Sequence, residues 1–313
     1  MAQAVRAMWS SAAFMVASVL GASGASAQVT MYTMRYSAEA NQTTPGLPPA
    51  TTRHVFGSHV YAQTGIDFFD CWLTPPLATR QTIFDYDNFS GFEYESGSYA
   101  TQALLLVAWP RGTYRFDVFG GFSPAQVINW SRVAEWWPSA QPTISAATFN
   151  ALQAIDADAP LVIAFNGFTY AYPATSGSTR VEITNLFDST VVYSRALTQP
   201  VTSVTVPAGT LEPGSPYEIE IAHVAMQSGT DSTQPGSPVV AVSFERVTRF
   251  PATCIAPPAC IADFNQDGGV DGADIESFFH AWETGGASGD VNQDGGVDGG
   301  DVETFIGRWE AGC

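Results

Sequence analysis

The sequence predicts a mainly β protein, with two β-sandwich-like domains followed by a small α-helical domain. Short runs typical of strands are separated by Gly, Pro, Ser and Thr clusters from residue 29 to 250, a pattern typical of sandwiches and barrels. One 21-residue segment then occurs twice, and each copy ends in a helical pattern. The predicted domains are residues 28–145, 150–251 and 260–313, with a linker at 252–259.

Residues 1–27 have the pattern of a secretory signal peptide. Arg6 precedes an apolar run over residues 7–20, and Ala25, Ser26 and Ala27 stand before the predicted cleavage point. The run is too short to cross a bilayer, and no later segment is long enough. We therefore expect a secreted protein, extracellular or at the cell surface, with no transmembrane segment.

The first β domain, residues 28–145, resembles no fold family, and a jelly-roll-like sandwich is expected. Strands are predicted at residues 55–61, 83–89, 104–109 and 113–119, and helices at 124–137 and 146–154.

An enzymatic site would have to lie in residues 55–137. Glu93 and Glu95 are two apart on a predicted strand, hence on one face, and Asp85 and Asp87 repeat that spacing. Paired carboxylates carry out glycoside hydrolysis, but only at defined separations that the sequence does not fix. A solvated strand face or a minor calcium site is the alternative, so no catalytic residue is assigned.

Three tryptophans, Trp130, Trp136 and Trp137, are close together in the sequence. Their rings could stack on sugars, which would suit a polysaccharide ligand, or they could pack in a core or between domains.

The second β domain, residues 150–251, shows clearer strand patterns. Tyr217, Ile219 and Ile221 alternate with Glu218 and Glu220, which predicts that the apolar set is buried and both glutamates are in water. The six predicted strands are 161–165, 180–184, 190–193, 202–206, 217–222 and 239–244.

The segment Leu211-Glu-Pro213-Gly214-Ser-Pro-Tyr217 resembles the corner of fibronectin type III domains, in which a tyrosine hydroxyl caps a turn between strands. This resemblance covers about residues 155–250. It implies a spacer or binding fold without an intrinsic active site.

The repeated segment carries two candidate calcium loops of twelve residues. Aligning residues 263–283 with 290–310 gives 14 identities in 21 positions. Oxygen donors occupy positions 1, 3, 5, 9 and 12, position 7 offers a backbone carbonyl, and glycine at position 6 permits a sharp turn, as Ca²⁺ loops require. The predicted ligands of two calcium ions are Asp263, Asn265, Asp267, Gly269, Asp271 and Asp274 in loop 1, and Asp290, Asn292, Asp294, Gly296, Asp298 and Asp301 in loop 2.

Each loop precedes an amphipathic helical pattern, over residues 275–282 and 302–309. Val270 and Val297 at position 8 predict short strands that pair the two loops and point into a small shared core.

Aspartate at position 12 and the missing helix before each loop resemble a type I dockerin, a duplicated calcium module that attaches secreted proteins to scaffolds or surfaces. Residues 260–267 and 309–313 are most similar to GC-type dockerin-like proteins of planctomycete-like bacteria. The resemblance covers residues 260–313 and implies a cohesin-like or cell-envelope partner. Positions 10 and 11, where cohesin-binding dockerins carry a polar pair, are Gly272-Ala273 and Gly299-Gly300 here.

The net charge is −18, and residues 260–313 hold twelve carboxylates against one arginine. Without metal these carboxylates would repel one another, so the segment should unfold in chelator. No basic patch is available for nucleic acid. A monomer is expected.

Four cysteines in an exported chain suggest two disulfides. We favour Cys260–Cys313, which would clasp the repeat pair, together with Cys71–Cys254. The competing pairing joins Cys254 to Cys260.

Three functions fit these observations. The leading one is an exported non-catalytic protein that is docked to a surface or scaffold by its calcium module. Its β domains would then bind a ligand or act as spacers. The alternatives are a polysaccharide-acting enzyme and a structural surface protein with a calcium-stabilised tail.

Overall fold

The computed structural model describes residues 29–46, 49–62, 68–77, 82–83, 85–87, 91–120, 125–234, 236–255 and 260–312. The predicted signal peptide lies outside these residues, as does Cys313. The chain divides into two compact units, with the boundary after Ile255.

The first unit is built on one eight-stranded sheet. Its strands are β1 (Val29–Asn41), β2 (Ala50–Ala62), β5 (Asp85–Asp87), β6 (Gly91–Glu95), β10 (Ser176–Asn185), β11 (Val191–Leu197), β13 (Pro216–Thr230) and β14 (Val239–Thr253). Their order across the sheet is β11-β10-β13-β14-β1-β2-β6-β5. All neighbouring pairs are antiparallel except β1 and β14, which run parallel with Met31 opposite Val239.

Two smaller sheets accompany the large one. Their strands are β3 (Phe68–Thr74), β4 (Thr82–Ile83), β7 (Gly112–Gly120), β8 (Gln126–Arg132), β9 (Leu161–Ala164) and β12 (Ser203–Val206). One is a four-stranded sheet in the order β4-β3-β7-β8, and the other pairs β12 with β9. Two short helices are α1 (Gln102–Ala108) and α2 (Ala146–Ala151).

Strands β13 and β14 contribute to two large hydrophobic cores and make a third, small apolar cluster from Ala222, Val224 and Val247. Val242 and Phe244 of β14 join β1, β2, β3, β7, β8 and α1 in the first core. Ile219 and Ile221 of β13, with Phe250 of β14, join β9, β10, β12 and α2 in the second. Each of these strands has 15 residues, which at about 3.3 Å per residue is long enough to pass both cores.

The structure is mainly β as predicted, but it does not confirm two separate sandwiches. Strands from residues 28–145 and from 150–251 share one sheet, so no boundary between compact units falls at 145–150. The parallel pairing of β1 with β14 joins segments about 200 residues apart in the sequence. The hydrophobic pattern within a single strand does not predict such a distant partner. Strand β14 also extends into the predicted linker at 252–259.

Two local predictions in the first domain were wrong. Residues 104–109, predicted as a strand, lie largely in α1, because Thr101 caps the helix by accepting from the Leu104 amide. Residues 124–137, predicted as a helix, contain β8, in which Gln126 and Ile128 are buried and Val127 and Asn129 are exposed. That alternation has the period of a strand.

The face of the large sheet opposite the cores carries arginine and glutamate ladders. Arg180 lies 3.1 Å from Glu220 and 3.5 Å from Glu245, and Arg249 lies 2.7 Å from Glu220 and 2.8 Å from Glu39. The prediction that Glu220 is in water was therefore wrong, since it is 7% exposed and ion-paired from both neighbouring strands.

The predicted disulfide Cys71–Cys254 is wrong, because both cysteines are free and buried. Cys71 belongs to the first core and Cys254 to the second. The competing pairing of Cys254 with Cys260 fails for the same reason, and the Cys254 thiol donates to the Ile155 carbonyl at 3.3 Å. Since Cys313 lies outside the described residues, the Cys260–Cys313 pairing stays a prediction.

The second unit holds α3 (Gly272–Glu283), a 3₁₀ turn (Ala287–Gly289) and α4 (Gly299–Ala311). The two α-helices fall where the sequence predicts them. Phe278 and Phe305 are fully buried and stack with centroids 4.2 Å apart, and Phe264 meets both edge-on.

No strand pairs the two loops within residues 260–312, so the prediction for position 8 was wrong. Val270 is 37% exposed. The shared core is instead made by Phe278 and Phe305 of the two helices, with Phe264 of loop 1 packed against them.

Candidate metal centre

The side chains at the predicted ligand positions of loop 1 fold onto the loop's own amides. The Asp267 amide donates to Asp263 Oδ1 at 3.1 Å and to Asn265 Oδ1 at 2.9 Å, and the Gly268 amide donates to Asp263 Oδ2 at 3.1 Å. Asp267 Oδ1 accepts from the Gly269 amide at 2.9 Å. Positions 1, 3 and 5 are thus gathered around one turn of backbone.

Loop 2 repeats this arrangement. The Asp294 amide donates to Asp290 Oδ1 at 3.1 Å and to Asn292 Oδ1 at 2.9 Å, and the Gly295 amide donates to Asp290 Oδ2 at 3.0 Å. Corresponding distances in the two loops agree within 0.1 Å for these three bonds. Two segments that are separate in the sequence therefore adopt one conformation.

Glycine at position 6 is needed for the turn, not for space. Gly268 and Gly295 have φ of 90° and 94°, in the region that favours glycine. A Cβ at either would meet nothing within 4 Å. The sharp turn that a calcium loop requires at this position is present in both loops.

Positions 9 and 12 form the start of the helix that follows each loop. Asp271 is the N-cap of α3 and accepts from the Ala273 amide, while Asp274 Oδ2 accepts from the Asp271 amide at 2.8 Å. Asp298 and Asp301 make the same capping box at α4. Two predicted ligands in each loop are therefore fixed by helix capping.

The position 12 carboxylates are held in the charged form. Asp274 Oδ1 also accepts from the Asn265 amide at 3.1 Å, and Asp301 Oδ1 accepts from the Asn292 amide at 3.1 Å. Hydrogen bonds from the backbone, first that from the position 9 amide, lower the pKa of both aspartates.

The donor set suits a hard cation in its chemistry, since it consists of carboxylate, amide and backbone oxygens. Among the described residues, however, no group of three or more His, Cys, Asp and Glu side chains is gathered to hold a metal ion. The carboxylates are instead spread along the backbone amides of each loop. An ion in each loop would be held by a mixed set of oxygens. Besides the aspartates, this set includes Asn265 and the Gly269 carbonyl in loop 1, and Asn292 and the Gly296 carbonyl in loop 2.

Two tryptophans that sequence reasoning placed only on an apolar helix face connect the loops. The Trp282 indole N–H of α3 donates to the Asp298 carbonyl of loop 2 at 2.7 Å, and the Trp309 indole N–H of α4 donates to the Asp271 carbonyl of loop 1 at 3.1 Å. Both tryptophans stand at the same position of the repeat, and this identity is the signal that could have identified them.

The carboxylates considered for catalysis do not form an isolated pair. Glu95 is ion-paired with Arg35 at 3.3 Å, and Glu93 lies opposite Asp85 across β5 and β6. The side chains of Asp85 and Asp87 lie outside what the structure describes.

The three clustered tryptophans belong to or pack against the first core. Trp136 is 2% exposed, and its N–H donates to the Ala225 carbonyl at 3.0 Å. Trp130 and Trp137 are partly buried against the same core, with Trp137 edge-on to Phe244 at 5.0 Å. The packing alternative accounts for these rings.

In the part of the chain that the structure describes, no helix has the length and apolar character needed to span a membrane. No protein-family model matches the chain, and no curated protein does.

Structural neighbours are distant. They include a biofilm-associated protein BSP domain (TM-score 0.19, 16% identity, 72% of this chain and 30% of that one) and Escherichia coli alpha-2-macroglobulin activated by porcine elastase (0.25, 9%, 74% and 20%). Chicken CNTN1 FN1-FN3 domains match with TM-score 0.22 at 10% identity, over 70% of this chain and 68% of that one. This chain spans under a third of the first two.

Proposed function

We propose that this chain is an exported, non-catalytic protein that is docked or anchored to a surface or scaffold through a C-terminal module binding two calcium ions. The β unit then serves for binding or spacing. The observation that carries this proposal is the pair of twelve-residue loops with oxygen donors at matching positions and one shared conformation. Unrelated surface loops have no reason to agree in this way.

The negative charge of the C-terminal unit supports a requirement for calcium. Residues 260–313 contain twelve carboxylates and one arginine, a net charge of −11, which two Ca²⁺ ions would reduce to −7. Repulsion among the carboxylates opposes folding without metal, and ion binding adds its free energy to the folded state. A docking module controlled by calcium would be ordered where calcium is abundant, as it is outside cells.

Two observations support docking through the C-terminal unit. They are the division of the chain into two compact units and the resemblance to type I dockerins. Residues 256–313 form their own compact unit. A cohesin-like protein and a component of the cell envelope are the two partners the resemblance implies. Because Gly272-Ala273 and Gly299-Gly300 offer no side-chain hydroxyl at positions 10 and 11, we favour the envelope.

Retention of the full chain by isolated bacterial cell envelopes tests the docking role. We expect retention in calcium and release in chelator. The matched control replaces the position 1 ligands, Asp263→Ala with Asp290→Ala, and should not be retained in either condition. Equal retention with and without calcium would contradict docking through the module, and no retention alongside normal calcium binding would favour a tail that serves stability alone.

Export can be tested separately. Cleavage after Ala27 predicts that the exported protein begins at Gln28. N-terminal sequencing of secreted material checks this, and an uncleaved amino terminus would contradict it.

A further inference from the structure

The strongest feature beyond the proposed function is the crossed pair of tryptophan hydrogen bonds in the second unit. Trp282 is on the helix that follows loop 1, but it donates to loop 2. Trp309 is on the helix that follows loop 2, but it donates to loop 1. Each loop is therefore braced by the helix of the other repeat.

The acceptor residue is the same in both loops and occupies a central place. Asp298 is the position 9 residue and the N-cap of α4, and its amide donates to the position 12 carboxylate of Asp301 at 2.8 Å. Asp271 stands in the same relation to α3 and Asp274. An indole that fixes this carbonyl also limits the rotation of the peptide that orients two predicted ligands.

The helices that carry the indoles are fixed to each other. Phe278 of α3 and Phe305 of α4 stack with a 12° angle between their rings, and both are fully buried. Trp282 is one turn beyond Phe278, and Trp309 one turn beyond Phe305. A displacement of either loop is therefore passed through its helix to the indole that supports the other.

From this geometry we infer that Trp282 is a positioning residue for the calcium site of loop 2 and Trp309 for that of loop 1, so that the two sites are coupled crosswise. This inference rests on the proposed function, because it concerns the same two loops. Bracing lowers the conformational freedom that each site loses when its ligands are ordered.

Single-site backgrounds give the test. In the full chain, Asp263→Asn with Asp267→Asn disables loop 1, and Asp290→Asn with Asp294→Asn disables loop 2. Asparagine keeps one acceptor oxygen for the loop amides. Calorimetric titration of Ca²⁺ into each metal-stripped variant then reports the remaining site alone.

Trp282→Phe and Trp309→Phe are matched substitutions, since each keeps an aromatic ring and removes the N–H donor together with the pyrrole part of the indole. With loop 1 disabled, Trp282→Phe should weaken the remaining site about fivefold, the size of one hydrogen bond, while Trp309→Phe should change it less than about twofold. With loop 2 disabled, the two effects should exchange. Equal effects of both substitutions, or none from either, would overturn the inference.

A second readout needs no tryptophan substitution. In the same backgrounds, filling loop 2 should shift the Trp282 indole N–H resonance more than that of Trp309, and filling loop 1 the reverse. If the unmodified chain binds no calcium, the proposed function fails and this inference with it. If both loops bind calcium but each responds to the tryptophan of its own repeat, the crosswise coupling is wrong and the proposed function still stands.

Discussion

Asp274 and Asp301 each combine an observed structural role with the metal-binding role that we propose for them. Each closes a capping box and accepts a second amide from position 3 of its loop. These bonds are made to the ionised carboxylate, so they favour the charge that calcium also needs. The fold of each loop and the calcium binding that we propose for it therefore depend on the same protonation state.

Acid should unfold the module through these two groups. Their folded-state pKa is lowered, so their contribution to stability is complete above the unfolded value of about 3.9 and is lost as pH falls through the lower folded value. Near-ultraviolet circular dichroism of the full chain in saturating calcium, where the module is expected to be folded, checks this from pH 6 to 2. Loss of the module's signal on raising the pH over this range would contradict the assignment.

A buried tyrosine gives a second test at the scale of one residue. The Glu212 amide donates to the Tyr217 hydroxyl at 2.7 Å, and Tyr217 is fully buried. Tyr217→Phe leaves that amide without its acceptor, so we expect a loss of about 1 kcal/mol in the free energy of unfolding by urea.

Tyr172→Phe is the matched control for this substitution. Its side chain is 94% exposed, so the same chemical change should alter stability by less than about 0.5 kcal/mol. If Tyr172→Phe lowered the free energy of unfolding as much as Tyr217→Phe, the hydrogen bond from the Glu212 amide to the Tyr217 hydroxyl would not be the cause of the loss.

At the scale of strands and helices, sequence patterns were reliable where burial is one-sided and local. All six strands predicted between residues 161 and 244 are present, although β13 and β14 are much longer than predicted. Tyr217, Ile219 and Ile221 are buried, as their alternation indicates.

The patterns failed where a distant partner decides the environment. Glu220 has the appearance of a solvent-facing residue in its own strand, but arginines on two neighbouring strands bury it. The apolar run 104–109 fits a strand until the Thr101 cap is taken into account. In the repeat, the sequence predicted both helices, whereas the crossed tryptophan hydrogen bonds depend on how the two helices pack.

In the arginine and glutamate ladder of the large sheet, replacing a buried residue should lower the stability of the protein more than replacing an exposed one. Arg249 contacts Glu39, whose side chain is 1% exposed. Burial alone would raise the Glu39 pKa, but Arg249 and then Arg35 lower it to about 2. Arg249→Ala removes a partner from buried charge, so we expect a loss of about 3 kcal/mol in urea denaturation.

Arg53→Ala is the control for the ladder. Arg53 also pairs with Glu39, but its side chain is 42% exposed, and such pairs contribute less than about 1 kcal/mol. Similar losses in the free energy of unfolding for Arg249→Ala and Arg53→Ala would mean that burial does not determine how much each ion pair stabilises the protein.

At the scale of the whole molecule, residues 29–255 should behave as one cooperative unit. A fragment of residues 29–145 would lack β14, which pairs with β1 and supplies Val240, Val242 and Phe244 to the first core. We expect that fragment to show no cooperative urea transition by circular dichroism, and residues 29–255 to show one. A folded fragment with its own transition would restore the two-domain view.

Calorimetric titration of Ca²⁺ into the metal-stripped full chain decides whether the C-terminal unit is a calcium module. We expect two ions bound per chain, with a rise in the thermal midpoint of residues 260–312 in calcium. Absence of binding at millimolar calcium, with the loops folded alike in chelator, would show that the unit is not a calcium module.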